Sequence, residues 1–224
     1  MPVIVGVCGR KGGSGKTTTA VHLAAELTSR SLSVALVDCD TQGSATHWGK
    51  AGKLPMPVHS RPLDDASKIA VWSNAIRAIP ADILILDSPP HLDAALGGVI
   101  GLASLAVIPC GPSGLDLIAT AETVALVRRI RDARKDGLPL ISLVPNRADH
   151  RTASGRELHI ALEDLGEDVC PDIHSRTVLA DAFNLGEWVG AYAPHSPAHL
   201  ELQGLADHLL KRMKAAGITY RGKS

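Results

Sequence analysis

The segment Gly9–Thr19, GRKGGSGKTTT, gathers the residue types that hold a phosphate. Gly12, Gly13 and Gly15 let the backbone turn tightly and aim several N–H groups at one anion. A helix starting at about Lys16 adds the positive end of its dipole. Lys16 then reaches the terminal phosphates of a nucleotide and the Thr17 hydroxyl completes a Mg²⁺ shell, with Ser14 and Thr18 in the same cradle. The spacing departs from G-x-x-x-x-G-K-[ST] at one position, where Arg10 replaces the first glycine. A glycine turn that binds nothing explains the segment poorly, because Gly-Lys-Thr-Thr lies in order between an apolar run and a helical pattern.

Other chemistry-bearing residues lie further along. Asp38 and Asp40 are two apart, so an extended chain puts them on one side. Carboxylates beside a phosphate are repelled unless Mg²⁺ and lysines offset them. Asp87 closes an apolar run and is expected to hold Mg²⁺ through water, since a buried carboxylate there needs a partner. His195 and His199 flank Pro197 with no third ligand in view, and read as surface residues at a helix start. Cys8, Cys39, Cys110 and Cys170 form no C-x-x-C pair and read as buried free thiols.

Positioning these residues requires strands that end beside them. Apolar runs at 3–8, 33–37, 83–86, 105–109 and 140–144, and a weaker one near 168–173, mostly lack period-two alternation, as strands buried on both faces do. Helical patterns fall between and after them, at 16–30, 64–78, 115–135, 154–165 and 197–215. The expected fold is α/β: one domain over 1–224, a mainly parallel twisted sheet with helices on both faces. Segments 61–66 and 148–155 read as exposed loops, and 211–224 as a basic tail. Ligands bind at the carboxyl ends of such strands, which singles out residues 9–18, 38–44, 87–90, 110–116 and 145–147.

The 224 residues include 23 basic and 23 acidic side chains, and 45% belong to the hydrophobic set. This composition excludes a disordered charged tail and leaves nucleic-acid binding to a local patch. The first residues, MPVIVGVCGRKGG, lack the basic lead-in of a signal peptide, and no apolar stretch reaches bilayer length, so a cytoplasmic location is expected.

Lys11 is one lysine more than a phosphate loop needs. The pattern K-G-G-x-G-K-T-T, from Lys11 to Thr18, resembles the deviant Walker A motif of the ParA/MinD superfamily of ATPases. LVDCDTQGSATHWGKAGK (36–53), LILDSPP (84–90) and LAVIPCGPSGLD (105–116) resemble that family's further motifs, in its order. The compact length and the W-x-K-A-G-K stretch resemble its small plasmid-partition branch, typified by ParF. The resemblance implies a P-loop NTPase fold, ATP and Mg²⁺. It implies that Lys11 reaches across a nucleotide-sandwich homodimer to the partner's nucleotide, neutralising charge in phosphoryl transfer. It makes Asp40 the residue that positions the attacking water, Asp38 a supporting acceptor, and Asn146 a reader of adenine.

The same resemblance implies partners. One branch of the family binds DNA non-specifically as an ATP dimer and segregates plasmid or chromosomal DNA on the nucleoid, with hydrolysis stimulated by a ParB-like or centromere-binding protein. Basic residues at Lys211, Arg212, Lys214 and Arg221, and Arg176 in HSRTV, are candidate phosphate contacts. Arg128, Arg129, Arg131 and Arg134 read as a solvated helix face. Alternatives are a positioner of protein cargo, a MinD-like membrane-bound regulator, and an iron–sulfur electron donor. The chain end lacks the Phe or Trp of an amphipathic anchor, so no membrane partner is expected.

Overall fold

The computed structural model describes residues 1–90 and 94–220. Its strands are β1 (Val3–Val7), β2 (Val34–Asp38), β3 (Val58–Ser60), β4 (Ile83–Asp87), β5 (Leu105–Cys110), β6 (Leu140–Ala148), β7 (Asp168–Val169) and β8 (Ile173–His174). They form one sheet in the order β3-β2-β4-β1-β5-β6-β7, with β8 also on β6, and every pairing is parallel. Successive residues of the central strands feed opposite cores. Val3, Val5, Val7, Ile83 and Ile85 enter one, and Ile4, Leu84 and Leu86 the other, so both sheet faces are covered.

The helices are α1 (Lys16–Ser29), α2 (Ser44–Gly49), α3 (Ile69–Arg77), α4 (Ala94–Leu102), α5 (Gly114–Ala133), α6 (Ala153–Glu163), α7 (Thr177–Asn184), α8 (Val189–Tyr192) and α9 (Pro197–Ala215). Helix α1 and α9 pack on the first core, which also takes Ala45 and Trp48 of α2. The second core is built on α3, α4, α5 and α6. Local chemistry fixes the helix starts: Ser113 and Asp116 form a reciprocal capping box on α5, Thr152 caps α6, and Ser196 with Pro197 opens α9.

The structure revises several expected boundaries. The pattern over 64–78 begins as a 3₁₀ turn at Ala66–Lys68, and the helix proper starts at Ile69. Leu63 is buried although it sits in a segment expected to be exposed, as are Ala148 and Gly155 in the other. The 168–173 run splits into β7 and β8. Helix α4 had no sequence signal because AALGGVIGL is apolar all round; Gly98 lets Trp72 of α3 approach, and a Cβ there would meet the indole at 2.8 Å. Lys211–Lys214 continue α9 rather than forming a tail. All four cysteines are buried and unpaired.

Two clusters change character. His199 is buried, with Nδ1 2.7 Å from the Pro194 carbonyl and Nε2 3.0 Å from Glu26 of α1; only His195 of that pair is exposed. Of the four arginines at 128–134, in α5 and at its end, three are partly buried and brace the fold, and Arg129 is exposed. Arg128 and Arg131 reach Glu167, and Arg134 donates to the Gly101 and Ala103 carbonyls.

Candidate nucleotide site

The carboxyl ends of β1, β2 and β4 converge, with Val7 and Asp38 each in register with Asp87. Chain leaving β1 wraps the phosphate loop and enters α1 without a side-chain cap, so the first N–H groups of α1 stay open to an anion. Gly15 sits at φ 95°, a conformation that disfavours side chains, and a Cβ there would lie 2.1 Å from Asn146 Nδ2.

A cavity of about 600 Å³ opens beside the loop. Gly12, Gly13, Gly15, Lys16, Thr17 and Thr18 line it from one side, joined by Asp40, Asn146 and Arg176. Trp48 of α2 with Leu179 and Phe183 of α7 supplies an apolar wall, and sequence reasoning missed the α7 part because that helix carried no recognised motif. Ser14 is buried behind the loop.

Lys16 Nζ donates to the Lys11 carbonyl at 3.0 Å. Burial lowers its pKa, against the pull of Asp87 and Asp40. The Thr17 hydroxyl donates to Asp87 Oδ2 at 2.7 Å, while Asp87 Oδ1 is buried with no hydrogen-bond partner. Burial pushes the Asp87 carboxyl up to about 7; Thr17 and Lys16 oppose the rise and the Asp38 and Asp40 charges add to it. A hydroxyl beside a carboxylate with an orphaned oxygen and excess negative charge is a donor set that fits Mg²⁺.

The two carboxylates of the second strand end diverge. Asp40 is half-exposed and lines the cavity. Asp38 is fully buried, with Oδ1 accepting from the Asp40 N–H at 3.1 Å and Oδ2 from the Thr46 N–H at 2.7 Å. Its oxygens are committed to the backbone, so it positions Asp40 and α2 rather than facing a ligand. Asn146 donates its amide to the Ser14 carbonyl at 2.7 Å, which holds the loop and leaves Oδ1 as its acceptor.

Lys11 does not line the cavity of its own chain. Its ammonium lies 2.8 Å from Asp116 and 3.3 Å from the Ser113 hydroxyl, at the start of α5. Burial works against the Asp116 charge, but Lys11 and Ser113 outweigh it and keep the carboxyl below its ordinary pKa. Asp116 is a functional candidate that the sequence offered only as the end of the 105–116 segment. The unusual Arg10 turns away to pair with Glu122 of α5, and its N–H meets Thr123 Oγ1 at 3.3 Å.

The basic residues expected to contact phosphate separate. Arg176 is held by Glu201 at 2.6 Å. Arg212 donates to the Ile141 carbonyl at 3.0 Å and pairs with Asp168 at 3.3 Å, binding α9 to the sheet. Lys211 and Lys214 are exposed. Arg221 lies outside the described residues. No described helix is long and apolar enough to cross a membrane.

Comparison with known proteins matches residues 5–187 to the CobQ/CobB/MinD/ParA nucleotide binding domain. The maintenance of carboxysome distribution protein A of Gloeobacter kilaueensis is 32% identical, over 98% of this chain and 91% of its own length. The chromosome-partitioning ATPase Soj of Thermus thermophilus is 28% identical, over 95% of this chain and 97% of its own. Among solved structures, the ATP complex of Cyanothece McdA(D38A) superposes with a TM-score of 0.76 at 18% identity, covering 99% of each chain. With a family match over most of its length, a glycine loop, Lys16 and Thr17 lining one cavity, and Asp87 bonded to Thr17, this chain belongs to the CobQ/CobB/MinD/ParA family of nucleotide-binding domains.

Proposed function

We propose that this protein is a ParA-type ATPase that binds Mg²⁺·ATP, pairs as a homodimer and positions cargo by cycling on nucleoid DNA. The observation that carries this reading is the placement of Lys11 outside its own cavity, 2.8 Å from Asp116, while Lys16 lines that cavity. A lysine on the phosphate loop that faces away from its own nucleotide is suited to act on a second subunit's. Exposed Leu115 and Ile118 on α5 beside it give a pairing face an apolar component.

In this scheme the loop N–H groups and Lys16 bind the phosphates, and Thr17 with Asp87 holds Mg²⁺, which screens the terminal phosphates when bound. Asp40 orients water and Lys11 acts in trans. Leu179 and Phe183 offer the base a flat apolar wall, and Asn146 Oδ1 accepts from it. Lys211 and Lys214 of each subunit contact DNA phosphates, and pairing doubles the patch, so a neutral chain still binds. For the cargo, plasmid or chromosomal DNA with a ParB-like stimulator is the first reading, supported by the likeness to Soj. The likeness to the carboxysome distribution protein supports a second, in which the cargo is a protein compartment.

The test measures DNA retention and sedimentation side by side with ATP, ADP and no nucleotide. Retention and dimer only with ATP are expected, and Lys11→Ala should bind ATP yet fail to pair or hydrolyse. Full turnover by Lys11→Ala would remove the trans assignment. Absence of DNA binding at low salt with ATP would remove the nucleoid.

A further inference from the structure

Away from the phosphate loop, three potential metal ligands meet where the sheet ends. His150 follows β6, Asp172 lies between β7 and β8, and His174 closes β8. One ligand atom from each falls within 4.8 Å of the other two. His150 Nε2 is 3.1 Å from Asp172 Oδ2, and the two imidazole centroids are 5.0 Å apart.

Each inner group is held by another behind it. His174 Nδ1 lies 2.9 Å from Glu201 Oε1 on α9, which leaves Nε2 free. Asp172 Oδ1 lies 2.9 Å from His159 Nδ1 on α6. A carboxylate behind an imidazole fixes its tautomer and raises its basicity, the usual outer-shell arrangement of a metal-bound histidine. We propose that His150, Asp172 and His174 bind a divalent transition-metal ion of the zinc class, with Glu201 and His159 as the outer shell and water as the fourth ligand.

Two imidazoles and one carboxylate suit zinc-class ions and not Mg²⁺, which prefers an all-oxygen octahedron. Bonds of about 2.0–2.1 Å in a tetrahedron place ligands about 3.4 Å apart, so any pair wider than that, within the 4.8 Å bound, must draw in. His150 can supply that movement, because its side chain is 52% exposed. A second cluster, Asp168–Cys170–His208, is a poorer candidate, since Asp168 already serves Ser142, His208 and Arg212.

The site is structural in placement. His174 pairs with Ala148 across β6 and β8, and Glu201 joins α9 to both His174 and Arg176. His174, Ser175 and Arg176 also line the cavity beside the phosphate loop. A bound ion therefore ties β6, β8 and α9 together along one wall of that cavity, independently of the magnesium position at Thr17 and Asp87.

The test titrates the full chain, stripped by chelator and free of nucleotide, with Zn²⁺ by calorimetry and with Co²⁺ by visible absorption, in excess Mg²⁺. One saturable equivalent with the intense bands of tetrahedral Co²⁺ is expected. His150→Ala, at an exposed position, and Asp172→Asn, which keeps its shape, should each weaken binding at least about tenfold; Glu201→Gln should weaken it about ten- to 100-fold. His195→Ala and His208→Ala should leave it unchanged. No saturable equivalent, retention of full affinity in His150→Ala and Asp172→Asn, or loss in His208→Ala instead would each overturn the assignment.

Discussion

Asp116→Asn should favour the nucleotide-bound dimer. In the single chain Lys11 is paired with Asp116 at 2.8 Å, so a lysine that acts on another subunit must first leave this contact. The bare Coulomb attraction at that distance is several kcal/mol in a protein-surface dielectric, roughly 6 at an effective constant of about 20. Most of it is returned as hydration when the pair separates, because Lys11 is 35% exposed even though Asp116 is 4% exposed. Pairs of this kind are worth about 1 kcal/mol at most. Removing the charge while keeping the amide oxygen for the Ser113 cap should thus lower the cost of release by about 1 kcal/mol in each subunit, so by about 2 kcal/mol, about 30-fold, in the constant of a symmetric dimer. Sedimentation velocity with a non-hydrolysable ATP analogue, over a range of protein concentrations, reads this directly. Thr152→Ala, which removes the α6 cap and touches neither Lys11 nor Asp116, is the control: it should cost about 1 kcal/mol of stability and leave dimerisation unchanged. An Asp116→Asn dimer as weak as, or weaker than, the parent would refute the idea that this pair restrains Lys11.

Gly15→Ala should cost about 1–3 kcal/mol, because it forces a side chain at φ 95° and drives a Cβ to 2.1 Å from Asn146; thermal melting and a fluorescent-nucleotide titration should both show the effect. His22 is buried with its pKa depressed to about 4, by burial first and by His199 next, while its contact to the Thr18 carbonyl opposes the shift. Between pH 6.5 and about 4 the unfolded chain takes up that proton and the folded chain does not, so stability falls as pH falls, by about 3 kcal/mol over the window. Urea denaturation of His22→Gln across that range should show a correspondingly flatter profile. Lys211→Ala with Lys214→Ala should reduce the salt dependence of DNA retention, by about 0.9 in slope for each phosphate no longer neutralised, without lowering the melting temperature. Arg212→Ala should instead destabilise the fold, since it takes the arginine partner from Asp168 and its side-chain donor from the Ile141 carbonyl.

The parallel sheet and the phosphate cradle were legible because each rests on local signals. Uninterrupted apolar runs mark strands buried on both faces, and β1, β2, β4 and β5 begin and end within about one residue of their runs. Glycines followed by Lys-Thr at a strand end mark the loop, and the structure brings Lys16, Thr17, Asp40, Asp87 and Asn146 to one place. Strand β3 and helix α4 were not legible. The first is three residues long, and the second has no polar face to set a period. Within the site, the same-side reading of Asp38 and Asp40 failed because strand geometry ends at Asp38; beyond it the chain turns so that the Asp40 and Thr46 N–H groups both bond back to that carboxylate.

The cations show why a basic residue's role cannot be read from its neighbours in sequence. Arg176, Arg212, Arg10 and Arg30 are each committed to a carboxylate that lies 25 to 177 positions away or in another element: Glu201, Asp168, Glu122 and Asp207. Each arginine offers a planar fork that a carboxylate or carbonyl can fill, so folding consumes arginines first. The lysines behave differently. Lys211 and Lys214 stand exposed at the end of α9, and Lys11 holds its carboxylate through a single point contact. A compact, strongly hydrated ammonium on a flexible stem leaves such a contact at small cost. The cations assigned to changing partners, Lys11 to a second subunit and Lys211 and Lys214 to DNA, are therefore the ones whose release the fold resists least.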